Sequence, residues 1–472
     1  MFNFKDLKLD KRADTDNTSS FVGIRRTEHN TLEFRLPKGF ENFPENDFNA
    51  TKQLFFKMYR TFKKFENDKT RLPTDEKPAG KDNIETMGNA YRFKDKEDNE
   101  VLLYSKISVI ENLLEAYRDL ALDVIERRYG LDEKIDYAKI NQYLHKAVYL
   151  PNDVIYLDEM ELPRHVLRYE STTIIDLFCF ILMELEAELE QESDERVKEL
   201  SYRFKEQHLS YEQSLFNEET FEATISILKD VLEDIDKITA YKDDDYWRLY
   251  EAIENFLYGE LDMENLHEDG IFWGISNFYQ IWEDMCNTYA FTFFDDVIYA
   301  DTNIVLNDKP VANTTFGGHK LFKKDNFENP FFIEFRDKKR WMRPDLIHLI
   351  GGIKKIKKPM SQLLSKLVNK GTVFLLDWKY MDENSFKKNS NKLDNDIIKQ
   401  LCYEFCFNKS EQNITKNNVI ESQFVIPCFF NQKNDAGELV EDELLYSRLT
   451  DNKITVFKAN FKLIQKTYLN HD

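Results

Sequence analysis

Glycine and cysteine are both scarce in this chain, and each scarcity closes off a class of function. Only 14 of the 472 residues are Gly. No G-x-x-x-x-G-K-[ST] run occurs, so the chain lacks the phosphate-cradling loop of a nucleotide-driven motor. The five cysteines, Cys179, Cys286, Cys402, Cys406 and Cys428, are odd in number and scattered, with no C-x-x-C pair. That pattern fits a reducing cytoplasm and argues against a zinc or iron–sulfur staple. No apolar stretch approaches the roughly 18–20 residues that a membrane helix needs. The start, Met1-Phe2-Asn3-Phe4-Lys5, lacks the apolar core of a signal peptide. A cytoplasmic protein without a membrane partner is expected. No repeat of fixed period is present, which speaks against a solenoid.

What is present is a large apolar content. Hydrophobic residues make up 42% and aromatic ones 14%, enough to exclude wholesale disorder and to fill two or three domains. Positive charge is in deficit overall, with a net of −21, which looks wrong for a protein that grips nucleic acid. The deficit is uneven. Residues 151–270 hold 33 acidic and 10 basic side chains, whereas residues 301–410 hold 21 basic and 13 acidic. The second segment would attract phosphate locally even though the whole chain repels it. The first is either a face for a basic partner or a solvated helix surface.

Periodicity divides the chain into three regions. Residues 1–150 read as an α/β region. Ser20 to Ile24 and Leu32 to Leu36 alternate like half-buried strands. A helix is expected over 49–65, capped by Asn49 or Thr51, and a second over 107–128, with a charged loop over 66–100 between them. Residues 151–270 read as an acidic helical region, since apolar stripes recur at helical spacing from Thr172 to Tyr258. Residues 271–472 read as a mixed sheet flanked by helices. There a helix is expected over 275–289 and another over 394–407. Strands are expected over 297–299, 331–335, 345–349, 373–378, 424–430 and 454–457, with a terminal helix over 461–468.

The last region carries the chemistry. Arg343-Pro344-Asp345 precedes an apolar strand candidate, and Leu376-Asp377-Trp378-Lys379-Tyr380 ends another. Side chains two apart on a strand share a face, so Asp377 and Lys379 project together. An oxygen ligand for a hard divalent cation then sits beside an ammonium group, the pair that phosphodiester cleavage requires. This is a P-D…(D/E)-x-K pattern, unless the acids merely end strands at the surface. By its own chemistry Glu283 is either a third oxygen ligand or a solvated helix carboxylate. Gln400 and Tyr403, three apart on one helix face, either position a phosphate or attacking water or form an ordinary polar edge. Cys402 and Cys406 read as core residues, and His348 as a structural or supporting one.

In their order and character, several motifs together resemble the McrC-like subunits of modification-dependent or LlaJI-family restriction systems. They are Gly274 to Phe278, Trp282-Glu283-Asp284-Met285-Cys286, the Asp345 and Asp377–Lys379 motifs, and Gln400 with Tyr403. The likeness runs from residue 274 to the C-terminus and is looser upstream, through Leu32 to Gly39 and Ile155 to Asp158. It implies a PD-(D/E)xK nuclease fold over 271–472, with Glu283, Asp345 and Asp377 as ligands of Mg²⁺ (or Mn²⁺). Lys379 and Gln400 would complete the catalytic set, with Arg343, Tyr403 and Tyr380 supporting it or touching DNA. It also implies double-stranded DNA as substrate, a dimer in the cleaving complex, and a separate McrB-like AAA+ GTPase or ATPase motor docked by the N-terminal half. The expected function is therefore that of the endonuclease subunit of an antiphage restriction system. The alternatives are a stand-alone RecB-like repair nuclease and a non-enzymatic coupling subunit. Intact Asp345, Asp377 and Lys379 count against the latter.

Overall fold

Apolar alternation and striping build an α/β protein, seen here in a computed structural model. It describes residues 3–5, 7–11, 20–27, 31–71, 85–87, 90–94, 100–105, 110, 113–114, 116–117, 133–135, 144–150, 154–156, 163–165, 169–239, 244–258, 271–275, 278–294, 296–302, 304–316, 319–325, 327–335, 338–350, 371–384, 391–410, 419–430, 447–450 and 454–471. Eight α-helices and mixed sheets lie among them. None of these helices is long and apolar enough to cross a membrane. Contacts group the chain into two compact units, one over 107–264 and one joining Asn3–Lys106 to Asn265–Asp472. Residues 3–106 thus pack with the C-terminal segment, and the rest of the 1–150 region belongs to the other unit.

The unit over 107–264 is dominated by four helices, Tyr169–Glu188, Glu195–His208, Phe221–Ile238 and Asp244–Tyr258. The first is buried without interruption from Ile174 to Leu182, because its sequence is apolar on every side. Its one acid in that run, Asp176, is 3% exposed and accepts from Arg203 Nε at 2.7 Å. The acidic run is only partly a solvated face. Glu184 accepts from the Ser214 hydroxyl and from the Leu215 N–H, and Glu186 is buried. Of the helix expected over 107–128, Ile110, Leu113, Leu114, Ala116 and Tyr117 are helical, and the remainder lies outside the described residues.

In the other unit, β1 (Lys8–Asp10), β2 (Val22–Arg26) and β3 (Leu32–Arg35) precede the long helix α1 (Phe48–Arg71). Asp47, rather than Asn49 or Thr51, caps α1 by accepting from Ala50 N–H at 2.9 Å. β4 (Glu85–Met87), β5 (Ala90–Lys94) and β6 (Glu100–Ser105) follow. The expected loop over 66–100 is therefore corrected: α1 runs to Arg71, and two strands and the start of a third fall within it. A second correction is β7 (Ile271–Ile275), a strand where the helix was expected to begin. β7 lies between β2 and β6 in a seven-stranded sheet of order β1-β3-β2-β7-β6-β5-β4. Alternating Ile271, Trp273 and Ile275 suit that central place, where Trp273 is fully buried against Phe55 and Phe62 of α1.

The second sheet follows α2 (Phe278–Phe293) and contains β8 (Val297–Asp301), β9 (Thr314–Phe316), β10 (His319–Lys323), β11 (Leu346–Ile350) and β12 (Thr372–Trp378). After α3 (Asn391–Lys409) come β13 (Val419–Cys428), β14 (Ser447–Thr450), β15 (Ile454–Asn460) and α4 (Phe461–Leu469). The order is β9-β10-β8-β11-β12-β13-β15-β14, antiparallel from β9 to β12 and parallel through β12, β13 and β15. The expected strand over 331–335 stands apart, as Phe332–Phe335 paired with Lys338–Trp341. Every residue of β12 is buried, as expected of a central strand covered on both faces. Val373 and Leu375 pack with Tyr403 and Phe407 of α3. The Trp378 indole points to the other cover, donating from Nε1 to Asn287 of α2 at 2.9 Å.

The chain after β3 is pressed onto this second sheet. Gly39 takes φ +84°, and a Cβ there would lie 2.1 Å from the Pro427 carbonyl oxygen, so no side chain fits. Its carbonyl accepts from Phe429 N–H at 2.8 Å, and Phe40 packs on Phe429 and Phe461.

Candidate active site

Pairing of β11 with β12 places Leu346 opposite Leu376, which brings Asp345, just before β11, beside the end of β12. Asp345 Oδ2 accepts from the Trp378 N–H at 2.6 Å. The two acids lie far apart in sequence, and register alone makes them neighbours. Lys379, one residue past the strand, extends Nζ to Asp377 Oδ2 at 2.9 Å and to Asp396 Oδ1 at 3.0 Å. Its own N–H donates to Val425 O at 3.0 Å, which continues the β12–β13 ladder and holds the turn.

Glu283 enters from α2. Phe278, Ile281, Trp282 and Met285 face the core, and this leaves Glu283 half-buried on the edge of the stripe. Glu283, Asp345, Asp377 and Lys379 line one cleft of about 280 Å³, together with Arg343, Tyr380, Tyr403, Asp396, Ser20 and Lys38 among others. Gln400 does not line it. Fully buried under the sheet, Gln400 donates from Nε2 to Leu375 O at 2.8 Å, two residues before Asp377. Tyr403 donates its hydroxyl to Arg343 O at 2.8 Å, and Arg343 pairs with Asp301 at 3.0 Å. The Tyr380 hydroxyl accepts from Lys38 N–H at 3.1 Å. His348 is buried between Phe294 and Phe374, with Nδ1 3.3 Å from Asp296 O, and so is structural.

Like charges crowd here. Burial, then Asp284, Asp377 and Asp301, push Glu283 up to about 8, and only Lys379 opposes them. Burial, then Asp377 and Glu283, raise Asp345 well above the ordinary carboxylate range, again against Lys379. Burial works to lower the Lys379 pKa, but Asp377, Asp345 and Asp396 outweigh it and keep the ammonium protonated. Carboxylates that raise one another in this way are what a cation would relieve.

Three hard oxygen donors suit Mg²⁺ or Mn²⁺. As the side chains stand, no group of three or more His, Cys, Asp or Glu among the described residues is arranged to hold a metal ion. One oxygen of each aspartate is already engaged: Asp345 Oδ2 with the Trp378 N–H, and Asp377 Oδ2 with Lys379. The donor chemistry fits a divalent cation.

Sequence reasoning missed Asp396, Asn287, Ser20 and Lys38, among others. Asp396 stands four before Gln400, on the same helix face, and that spacing was the available signal. Asn287, Ser20 and Lys38 gave none, since each reaches the site only through tertiary packing. No protein-family model, curated protein or solved structure matches this chain. What fold and site define by themselves is an α/β protein with an acid–lysine cleft at the end of its central strand.

Proposed function

We propose that this chain is the Mg²⁺-dependent (or Mn²⁺-dependent) DNA endonuclease subunit of an antiphage restriction system, built on a PD-(D/E)xK fold. It would work with a separate McrB-like AAA+ motor on double-stranded DNA. One observation carries the reading: Asp345, Asp377, Lys379 and Glu283, distant in sequence, converge on one cleft at the end of β12. Surface acids that merely terminate strands have no reason to meet a buried-edge lysine and a helix carboxylate.

Phosphodiester hydrolysis adds water to phosphorus and breaks the bond to the leaving oxygen. Glu283, Asp345 and Asp377 would hold the divalent cation, which supplies Lewis acidity toward the phosphate when bound. Lys379, protonated and fixed by two carboxylates, offsets the negative charge that develops on the phosphate oxygens. Gln400 acts at one remove, by fixing the β12 backbone that carries Asp377. Tyr403 likewise fixes the Arg343 carbonyl at the entrance to the Asp345 motif. The chain has no nucleotide-binding loop of its own, which supports assigning the motor to a separate chain.

The test incubates purified full-length chain with plasmid DNA and Mg²⁺ or Mn²⁺, with and without a candidate motor and its nucleotide. Asp377→Ala and Lys379→Ala are run in parallel. Motor-dependent cutting that both substitutions abolish is expected. Cutting by either variant at the wild-type rate would sink the assignment, and robust cutting without any motor would favour a stand-alone nuclease.

A further inference from the structure

The outer face of α3 carries apolar side chains exposed to solvent. On its inner face Gln400, Tyr403 and Phe407 are buried, whereas Ile398 is 58% exposed, Leu401 38% and Phe405 62%. Cys402 beside them is half-buried. Their spacing puts all four on one stripe. Asp394 begins that stripe in the first turn and Lys409 ends it in the last, and both are exposed. The Lys409 ammonium reaches along it, 5.7 Å from the centre of the Phe405 ring. The α3 residues that line the cleft, Asp396, Lys399 and Tyr403, lie off this stripe.

A solvent-facing stripe of this kind marks an interaction surface, and its layout selects the partner. Counted from the midpoint between Leu401 and Cys402, Ile398 and Phe405 stand equally far out on either side, and so do Asp394 and Lys409. A surface that meets its own copy across a two-fold axis must complement itself. Two α3 helices laid antiparallel about that midpoint put Ile398 of each copy on Phe405 of the other, and Asp394 of each near Lys409 of the other. Leu401 then meets Leu401 at the axis, and Cys402 meets Cys402. The helix dipoles also oppose, with each negative C-terminal end beside a positive N-terminal one. An unrelated apolar partner would require no such symmetry.

We propose that the outer face of α3 is a self-association surface, through which two copies of this chain pair as an antiparallel, two-fold dimer. The inference goes beyond the nuclease reading and does not depend on it, because the stripe and its symmetry are the same whatever the cleft acts on. The cleft-lining residues stay outside the contact, so each copy keeps its own cleft. A single helix pair sits below the roughly 1,200 Å² of a standard interface. The dimer is therefore weak and concentration-dependent, with a dissociation constant of micromolar order.

The experiment is sedimentation velocity on the full-length chain over roughly 1–200 μM, a range that spans weak association. Wild type is compared with Phe405→Glu, Asp394→Lys, Lys409→Asp and the double reversal of Asp394 and Lys409, with circular dichroism as a folding control. A two-fold contact uses every residue twice. Phe405→Glu should therefore weaken association at least about 100-fold, and each single reversal about 10-fold. The double reversal should recover most of that loss, because the opposite charges face each other again. A short bis-maleimide should join wild-type copies through Cys402, and Cys402→Ser should abolish the covalent dimer. A wild type that stays monomeric throughout overturns the inference, even if it binds another protein. A dimer left unchanged by folded Phe405→Glu and by the single reversals overturns it as well, by placing the contact elsewhere. If Phe405→Glu misfolds, the reversals decide alone, and a double reversal that recovers nothing overturns the antiparallel pairing. Cleavage is not a readout here, so the nuclease reading can fail separately.

Discussion

Two acids, the buried Asp176 in the helical unit and the half-buried Asp345 in the sheet unit, show how differently a fold can treat a carboxylate. Burial raises the pKa of both. At Asp176 the neighbours oppose burial: Arg203 supplies two hydrogen bonds and a charge that lower it. At Asp345 the largest charge effects come from Asp377 and Glu283, acids that push the same way as burial. The first arrangement is a one-to-one pair that lets a polar group sit in a helix core. The second concentrates like charge around a single lysine. A fold gains no stability from such crowding, which is why perturbed acids gathered in a cleft point to function rather than to structure.

That contrast can be broken most sharply at the crowded end. Glu283→Gln is nearly isosteric but brings no charge, so DNA cleavage should fall by at least about 10³-fold. Isothermal titration with Mn²⁺ should show the accompanying loss of affinity. Unchanged cutting and unchanged affinity would make Glu283 an ordinary helix residue.

Arg203→Ala tests the paired end, with stability as the readout and cleavage unaffected. Removing a partner of a fully buried pair costs about 3–5 kcal/mol. Arg203 itself is 42% exposed, so solvent screening should reduce the loss to about 2 kcal/mol by urea denaturation. The sign of the pH dependence follows from the raised Asp176 pKa. Without Arg203 the folded-state pKa rises further, so the deficit is full above that value and shrinks as the pH falls and Asp176 takes up a proton. A deficit that grows in acid would contradict the pairing.

Asn287→Leu probes the link between α2 and β12. Asn287 accepts from Trp378 and donates from Nδ2 to Asp301 O at 3.4 Å. Leaving the indole N–H buried without a partner should cost about 1–3 kcal/mol. Because Glu283 lies one turn before Asn287, cleavage should fall as well, through kcat more than KM. Wild-type kcat in a destabilised variant would show that the link only supports the fold.

Much of this molecule was legible along the chain. The stripes from Thr172 to Tyr258 became four helices, and the apolar run ending at Trp378 became the buried central strand. Those patterns are local, and burial acts on them in any compact arrangement. Among the strands that escaped notice, Ile271–Ile275 is short and depends on partners far along the chain. Ile271–Ile275 borders Val22–Arg26 and Glu100–Ser105, and no window of sequence contains those neighbours.

The candidate site divides in the same way. The sequence by itself determined that Asp377 and Lys379 would sit together, because strand alternation brings residues two apart to one face. It also supplied a second acid in a Pro-Asp pair and a glutamate on an amphipathic helix. Only the tertiary structure decided that these meet, since register sets Leu346 against Leu376 and so carries Asp345 to the Trp378 amide. Only packing turned Gln400 inward onto Leu375 O, set Asp396 against Lys379, and brought Lys38 to the cleft through the pinned turn at Gly39. Side-chain identity and local period are written residue by residue, whereas the distance between remote residues arises only when the whole chain closes on itself.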